Sequence, residues 1–123
     1  LKDYQKVTVL ADCSSALIVS MGQLLCLHRK PSYGIVKDEA EWQNLFIVID
    51  MFYGGCLSEE LNSFGLSAQE LKLCYLIRAR LCNKAIAALF NITPKSVLKT
   101  KQRIKNKIGL SGKDSLDRYV QQC

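Results

Sequence analysis

The sequence has few residues that bind metals. It has a single histidine, His28, and six irregularly spaced cysteines with no Cys-x-x-Cys pair. A zinc site with the usual ligand spacing is therefore excluded. Cys74 falls within a helical apolar pattern, where a reduced thiol behaves as a small hydrophobe. We expect most of the cysteines to be buried thiols in a reducing cytoplasm.

The sequence also lacks a long apolar run. Its most apolar stretch, residues 16–27, is interrupted by Ser20, Gly22 and Gln23, whereas a membrane span needs about 20 apolar residues. No signal peptide with a basic start and a cleavage site is recognisable. The chain begins with Leu1 rather than Met. We therefore expect a cytoplasmic piece of a longer protein.

Signatures of catalysis are missing as well. The sequence shows no Gly-rich phosphate loop and no nucleophile–base pair, and one histidine offers little acid–base chemistry near neutral pH. Asp38, Glu39 and Glu41 are interpreted as the start of a helix rather than as paired catalytic carboxylates. We predict no enzyme activity and no cofactor.

Basic charge is concentrated in the second half of the chain. Residues 1–65 contain five Lys/Arg and eight Asp/Glu, whereas residues 66–123 contain twelve Lys/Arg and three Asp/Glu. The second half therefore carries a net charge of +9 and the first half one of −3, which together give the +6 of the 123 residues. A polyanion is the natural partner of such a surface, and a solvated basic face is the alternative.

Residues 83–107 read as two helices separated by a short break. Ile86, Leu89 and Phe90 have the i, i+3, i+4 spacing of one helical face. The pattern then breaks for three residues, the last of which, Thr93, can cap a second helix.

The second of these helices is predicted to begin at Pro94, which suits a first turn because no backbone N–H is needed there. Val97, Ile104 and Ile108 are expected to face inward. The remaining positions carry basic residues and no acidic one, namely Lys95, Lys99, Lys101, Arg103, Lys105 and Lys107. A basic second helix after a three-residue turn is typical of a helix-turn-helix that enters the major groove.

Residues 1–30 are predicted to form a helix with a heptad-like apolar seam. The seam comprises Val7, Leu10, Ser14, Leu17, Met21, Leu24 and His28, and Ile18 and Leu25 widen it. One interpretation is a dimerisation helix. The alternative is a helix that covers the core of its own domain, and the sequence leaves both open.

A second helix is predicted to begin at Asp38, with Glu41 completing a capping box. Its apolar residues are interpreted as core, namely Trp42, Leu45, Phe46, Ile49, Met51, Phe52 and Tyr53. Gly54 and Gly55 end it, and residues 56–64 are predicted to form a short helix.

Two more helices flank the basic segment. Ser67 and Glu70 form a second capping box, and the inward residues of the helix that follows are Leu71, Cys74, Ile77 and Leu81. Arg78 and Arg80 suit its end through the helix dipole. Gly109 is predicted to end the basic helix. Ser111 with Asp114 is predicted to start a last helix, whose inward residues are Leu116, Tyr119 and Val120.

Four motifs in the second half carry a family resemblance. They are Leu66-Ser67-x-x-Glu70, Asn83-Lys84-Ala85-Ile86-Ala87, Ile92-Thr93-Pro94-Lys95-Ser96-Val97 and Lys107-Ile108-Gly109-Leu110. In type and spacing they resemble the LuxR/GerE-type helix-turn-helix DNA-binding domain. Weaker echoes at Pro31-Ser32-Tyr33, Glu41-Trp42 and Ser115-Leu116-Asp117 are similar to transcriptional regulators in which a tetratricopeptide sensor precedes this domain.

The resemblance implies a four-helix domain, often dimeric, whose third helix lies in the major groove. Carried over by position, the residues that line the groove face are Lys95, Ser96, Lys99, Thr100 and Arg103. Lys84 and Lys107 are implied to contact phosphates. Lys and Arg pair with guanine acceptors, and Ser or Thr hydroxyls pair with either type of base.

The sequence departs from the family pattern at several positions. Arg80 stands where a glycine is usual, so the left-handed cap is expected to be either lost or strained. Cys82 stands at a capping position usually filled by serine, so either Asn83 substitutes or the cap contributes about 1 kcal/mol less. The family pattern has glutamate at the position of Ala85 and frequently histidine at that of Thr100. Leu98 and Lys101 exchange the polarity expected on the helix.

We therefore predict an all-α protein with a four-helix LuxR-type domain at residues 65–123. Two or three additional helices in residues 1–64 precede it as a dimerisation or linker region. The predicted function is that of a transcription regulator that reads double-stranded DNA through a recognition helix at about residues 94–107, with a homodimer formed through the N-terminal helices. The alternatives are a protein-interaction module that has lost DNA binding and a sigma-factor region-four-like module.

Overall fold

The computed structural model describes residues 15–122, which contain helices and no strand. In chain order the α-helices are α1 (Ser15–Arg29), α2 (Glu39–Tyr53), α3 (Leu57–Glu60), α4 (Ala68–Arg78), α5 (Asn83–Phe90), α6 (Pro94–Ile108) and α7 (Leu116–Gln122). A 3-10 turn, Asn62–Phe64, lies between α3 and α4. The predicted all-α class is confirmed. The part of the first predicted helix that holds Val7, Leu10 and Ser14 lies outside the described residues.

The first two helices pack side by side. Leu17 and Leu24 of the predicted seam are buried, so the seam of α1 packs within the chain itself, and Leu27 beside it is buried as well. His28, also predicted in the seam, is exposed. Ile18 and Leu25 remain 59% and 63% exposed, because neighbouring helices of this chain cover only one side of α1.

The start of α2 is capped by Asp38 as predicted, but Glu41 does not make the return hydrogen bond of a capping box. The Asp38 side chain accepts a hydrogen bond from the backbone N–H of Glu41 at 2.8 Å. The Glu41 carboxylate accepts from the backbone N–H of Lys37 at 2.9 Å instead of from Asp38. It also accepts from Gln23 Nε2 of α1 at 2.8 Å, and this hydrogen bond links the two helices.

Aromatic side chains join α2 to the helices of the second half. The Trp42 ring stacks on Phe90 of α5 at 5.8 Å between centroids, and Phe46 stacks on Tyr75 of α4 at 3.9 Å. The regions before and after residue 64 therefore share one hydrophobic core. Phe52, predicted as core, is instead exposed.

The half-buried carboxylate of Asp50 contacts one of these aromatic residues. The Tyr75 hydroxyl donates to Asp50 Oδ2 at 2.9 Å, and the backbone N–H of Leu57 donates to Asp50 Oδ1 at 3.1 Å. Burial raises the pKa of Asp50, and burial together with the adjacent carboxylate raises the pKa of Tyr75. Because these groups satisfy one another between α2, α3 and α4, their arrangement is structural.

The last turn of α4 holds Arg78, as predicted. Its side chain is buried, and the guanidinium donates to the carbonyls of Val120, Tyr53 and Gly54 at 2.9, 3.0 and 2.9 Å. It therefore joins α2, α4 and α7, contacts that the helix-dipole argument did not predict. The following Arg80 has φ +67°, a left-handed conformation that costs a non-glycine residue about 1 kcal/mol.

The last helix begins later than predicted. Asp114 Oδ2 accepts from the backbone N–H and the hydroxyl of Ser111, both at 3.0 Å, but this pair closes a turn and does not start the helix. The helix starts at Leu116, and the Ser115 hydroxyl accepts from the backbone N–H of Arg118 at 3.3 Å. Leu116 and Val120 are buried as predicted.

The cysteines are less buried than expected. Cys74 is buried, but Cys26 and Cys82 are exposed and Cys56 is half-buried. The prediction of mostly buried thiols is therefore wrong for the described residues. Each helix within residues 15–122 is too short or too polar to cross a lipid bilayer.

Candidate nucleic-acid interface

The turn between α5 and α6 follows the predicted residues. Asn91 takes the left-handed conformation, with φ +56°, and its backbone N–H donates to the carbonyls of Ala87 and Ala88. Thr93 then caps α6 by accepting from the backbone N–H of Ser96 at 3.1 Å, and Pro94 occupies the first turn. These local contacts fix the direction in which α6 leaves α5.

The inward side of α6 is apolar. Val97 and Ile104 are fully buried, and Ile108 packs against the core from a half-buried position. Ile86 and Leu89 of α5 are buried in the same cluster. The predicted inward faces of both helices are confirmed, and Gly109 ends α6 in the left-handed conformation, with φ +89°.

The outer face of α6 is a continuous exposed stripe. We define this outer face as Lys95, Leu98, Lys99, Gln102, Arg103 and Asn106, which are all exposed. Their spacings of three and four residues place them on one side of the helix. No acidic residue lies between positions 84 and 113, so the stripe is cationic and rich in hydrogen-bond donors.

The structure brings three of the predicted base-contacting residues onto this face. Lys95, Lys99 and Arg103 are exposed, and none of them forms an ion pair with another described residue. Arg103 Nη2 donates to the Thr100 hydroxyl at 3.1 Å, which anchors one side of its guanidinium. The charges of all three remain available to an outside anion.

The two predicted hydroxyl residues are engaged within the helix. Thr100 is buried and donates to the Ser96 carbonyl at 3.1 Å. Ser96 is half-buried, and its hydroxyl lies 3.1 Å from that of Thr93. Thr100 therefore supports Arg103 from behind the outer face.

Lys107 points toward α4. Its ammonium lies 2.6 Å from Glu70 Oε1 and 3.4 Å from the carbonyl of Gly65. Glu70 also completes the capping box of α4, where its Oε1 accepts from the backbone N–H of Ser67 at 2.8 Å. Burial alone would raise the pKa of Glu70, but the hydrogen bonds from Lys107 and Ser67 outweigh burial and lower it. Lys107 is thus already paired with a buried carboxylate.

Lys101 and Leu98 have exchanged environments. Lys101 is 8% exposed, and its ammonium lies 2.7 Å from Asp117 Oδ1, which joins α6 to α7. Leu98 is 55% exposed. An apolar residue therefore stands at an exposed position and a basic residue at a buried one, and the placement of Lys101 among outward positions is wrong.

Sequence reasoning missed two members of the outer face. Gln102 and Asn106 are exposed, and Gln102 Nε2 donates to Asn106 Oδ1 at 3.1 Å. They follow Lys95 and Lys99 by seven residues, a helical spacing that would have identified them. An amide side chain carries both a donor and an acceptor, and these can pair with the acceptor and the donor that adenine presents in the major groove.

The start of α5 lacks a side-chain cap. Cys82 occupies the capping position and makes no such hydrogen bond. Asn83 does not substitute for it, because its Oδ1 atom is buried without a hydrogen-bond partner. Lys84 follows at an exposed position on the first turn.

Within residues 15–122, no group of three or more His, Cys, Asp or Glu side chains is arranged to hold a metal ion. Comparisons with protein-family models, with curated proteins and with solved structures find no match to this chain.

Proposed function

We propose that this chain is a DNA-binding transcription regulator that places α6 in the major groove of duplex DNA. The observation that supports the proposal is the outer face of α6, which is exposed and cationic. The carboxylate that lies near Arg103 and Asn106, that of Glu70, is already paired with Lys107. Helix α6 follows a turn in which local hydrogen bonds fix the end of α5 at Asn91 and the start of α6 at Thr93. We further propose that α4–α7 adopt the LuxR/GerE-type arrangement that the sequence motifs resemble.

The side chains of the outer face suit different parts of the duplex. Lys95, Lys99 and Arg103 can pair with guanine acceptors or with phosphates, and Gln102 and Asn106 can pair with adenine. Lys84 is proposed as a phosphate contact. Thr100 and Lys107 are assigned positioning roles, because Thr100 is buried behind Arg103 and Lys107 is paired with Glu70.

The salt dependence of binding tests the proposal. If Lys84, Lys95, Lys99 and Arg103 neutralise four phosphates, the slope of log affinity against log salt is about −3.6. Affinity for a labelled random-sequence duplex then falls about 150-fold between about 50 and 200 mM salt. Fluorescence anisotropy at the two concentrations measures this. Absence of any salt-dependent binding would overturn the proposal and favour the protein-interaction module.

The same titration separates the sigma-factor alternative. A region-four-like module is expected to need core polymerase beside it, whereas the proposed regulator binds duplex DNA alone. Binding that appears only after polymerase is added would favour the sigma-like interpretation.

A homodimer through the N-terminal helices is also proposed, on a different surface from the one predicted. The buried seam of α1 faces its own chain, but Ile18, Val19, Leu25 and Phe52 are exposed. Leu25 and Phe52 line an apolar groove of about 400 Å³ together with Met21 and Leu24. A second copy would bury this surface.

Sedimentation velocity tests the dimer. We expect the chain to dimerise with rising concentration and Leu25→Glu to remain monomeric. Tyr33→Glu, which changes an exposed residue outside this groove, is the matched control and should dimerise. Deletion of residues 1–30 is a poorer test because it removes buried Leu17, Leu24 and Leu27. A monomer at all concentrations for the unaltered chain would contradict the proposal.

A further inference from the structure

A basic cleft lies between the end of α1 and the start of α5. Its volume is about 550 Å³, and its floor includes the buried side chains of Leu27, Leu81 and Ala85. Basic residues stand around it, namely His28, Arg29, Lys30, Arg80 and Lys84, and all five are exposed. No acidic residue lines the cleft.

The basic residues on the α1 side of the cleft belong to a region whose net charge is negative. Residues 1–65 carry eight Asp/Glu and only five Lys/Arg. Two of these five, Arg29 and Lys30, are adjacent at the mouth of this cleft. They meet Lys84 and Arg80 from the strongly basic second half, so the fold gathers cations from both regions at one place.

We propose that this cleft binds the phosphodiester backbone of the duplex that α6 reads, so that α1 contributes directly to DNA binding. The inference rests on the proposed function, because Lys84 is one of its phosphate contacts and forms part of the cleft wall. Arg29 and Lys30 extend that contact along the strand. Arg offers a planar fork that pairs with phosphate oxygens in two places, and Lys adds a point charge.

The charge pattern favours a polyanion over a small anionic ligand. Cations stand on both walls of an open cleft, with Arg29 and Lys30 on one wall and Arg80 and Lys84 on the other, and none of these four forms an ion pair with another described residue. A continuous strand can engage both walls at once, whereas one small anion engages only a few of the side chains. Phosphate contacts of this kind add affinity and orientation without sequence information.

The test is the double variant Arg29→Gln with Lys30→Gln. Its matched control is Lys37→Gln with Arg118→Gln, which removes one lysine and one arginine from exposed positions outside the cleft. Anisotropy titrations with the same random-sequence duplex are run for both variants at about 50 and 200 mM salt. Melting temperatures, expected to match that of the unaltered chain, confirm that both variants are folded.

With Arg29 and Lys30 added to the four contacts counted above, the slope of the unaltered chain is about −5.4, and the cleft variant, which loses these two contacts, has a slope of about −3.6. Its loss of affinity relative to the unaltered chain is then about 12-fold greater at 50 mM than at 200 mM salt. The control variant should keep the original slope. Inorganic phosphate, added at unchanged ionic strength, should leave duplex binding by the unaltered chain unchanged.

The other outcomes each overturn the inference. Equal losses in the two variants would assign the effect to net charge alone, and no loss in the cleft variant would exclude contact with α1; both results leave the proposed function standing. Displacement of the duplex by inorganic phosphate from the unaltered chain but not from the cleft variant would identify a small-anion site. Absence of duplex binding by the unaltered chain would overturn the proposed function as well.

Discussion

Lys99→Glu combined with Arg103→Glu is expected to abolish duplex binding while the fold remains intact. Both side chains lie on the outer face of α6, one helical turn apart, and neither forms an ion pair with a described residue. The substitutions replace two attractive charges with two that repel phosphates. We expect the affinity at about 50 mM salt to fall on the order of 1,000-fold, with the magnitude of the salt slope reduced by at least about 1.8.

The fold should tolerate this variant because the altered side chains support little else. Arg103 donates to the Thr100 hydroxyl, but that hydroxyl keeps its own bond to the Ser96 carbonyl. Helical content and melting temperature are therefore expected to change little. Lys37→Glu with Arg118→Glu makes the same change in net charge at exposed positions away from α6 and should retain most of the affinity. Duplex binding that survives in the outer-face variant would show that α6 is not the contact surface.

Elements fixed by neighbouring residues could be predicted from the sequence. Thr93 caps α6 through a backbone N–H three residues away, and Gly109 ends the same helix. Ser67 and Glu70 cap α4 through each other. Because these contacts are local, spacing alone identifies them, and the basic helix was predicted with nearly its observed bounds.

Contacts between distant residues could not be predicted in this way. Lys101 follows Val97 by four residues and precedes Ile104 by three, so spacing alone places it on the inward face, but the local pattern does not identify its partner Asp117, sixteen residues away. Lys107 is held by Glu70 across thirty-seven residues. Helical periodicity gives the angle of a side chain around its own helix and does not identify the neighbour that it meets. The placement of a cation within a candidate site therefore depends on tertiary packing.

The association of the two regions could not be predicted for the same reason. The sequence left open whether α1 serves a partner or covers its own core. Its buried leucines and the stacking of Trp42 on Phe90 show a shared core. The cleft beside Lys84 exists only because that packing brings the end of α1 to the start of α5.

Substitution of Arg78 is expected to have the largest effect on stability. The guanidinium is buried and satisfies carbonyls at the end of α2 and in α7. A lysine keeps the charge but replaces the planar fork with a single ammonium, which cannot reach all of these carbonyls. We expect Arg78→Lys to lower the free energy of unfolding by about 2–3 kcal/mol and Arg78→Ala to lower it by about 3–5 kcal/mol.

Urea denaturation measures these changes, with Arg80→Lys as the matched control. Arg80 is exposed, and its single side-chain contact within the described residues is a 3.5 Å bond to Gln121, so the control should lie within about 0.5 kcal/mol of the unaltered chain. An unchanged free energy of unfolding for Arg78→Lys would show that the planar guanidinium of Arg78 is not required for stability. Because Arg78 is buried away from the outer face of α6, the molecules of Arg78→Lys that remain folded should bind the duplex with unchanged affinity. The Arg78 variants are therefore expected to lower the free energy of unfolding alone, and the Lys99/Arg103 variant to lower DNA binding alone. Together they separate the basic residues that stabilise the fold from those that bind DNA.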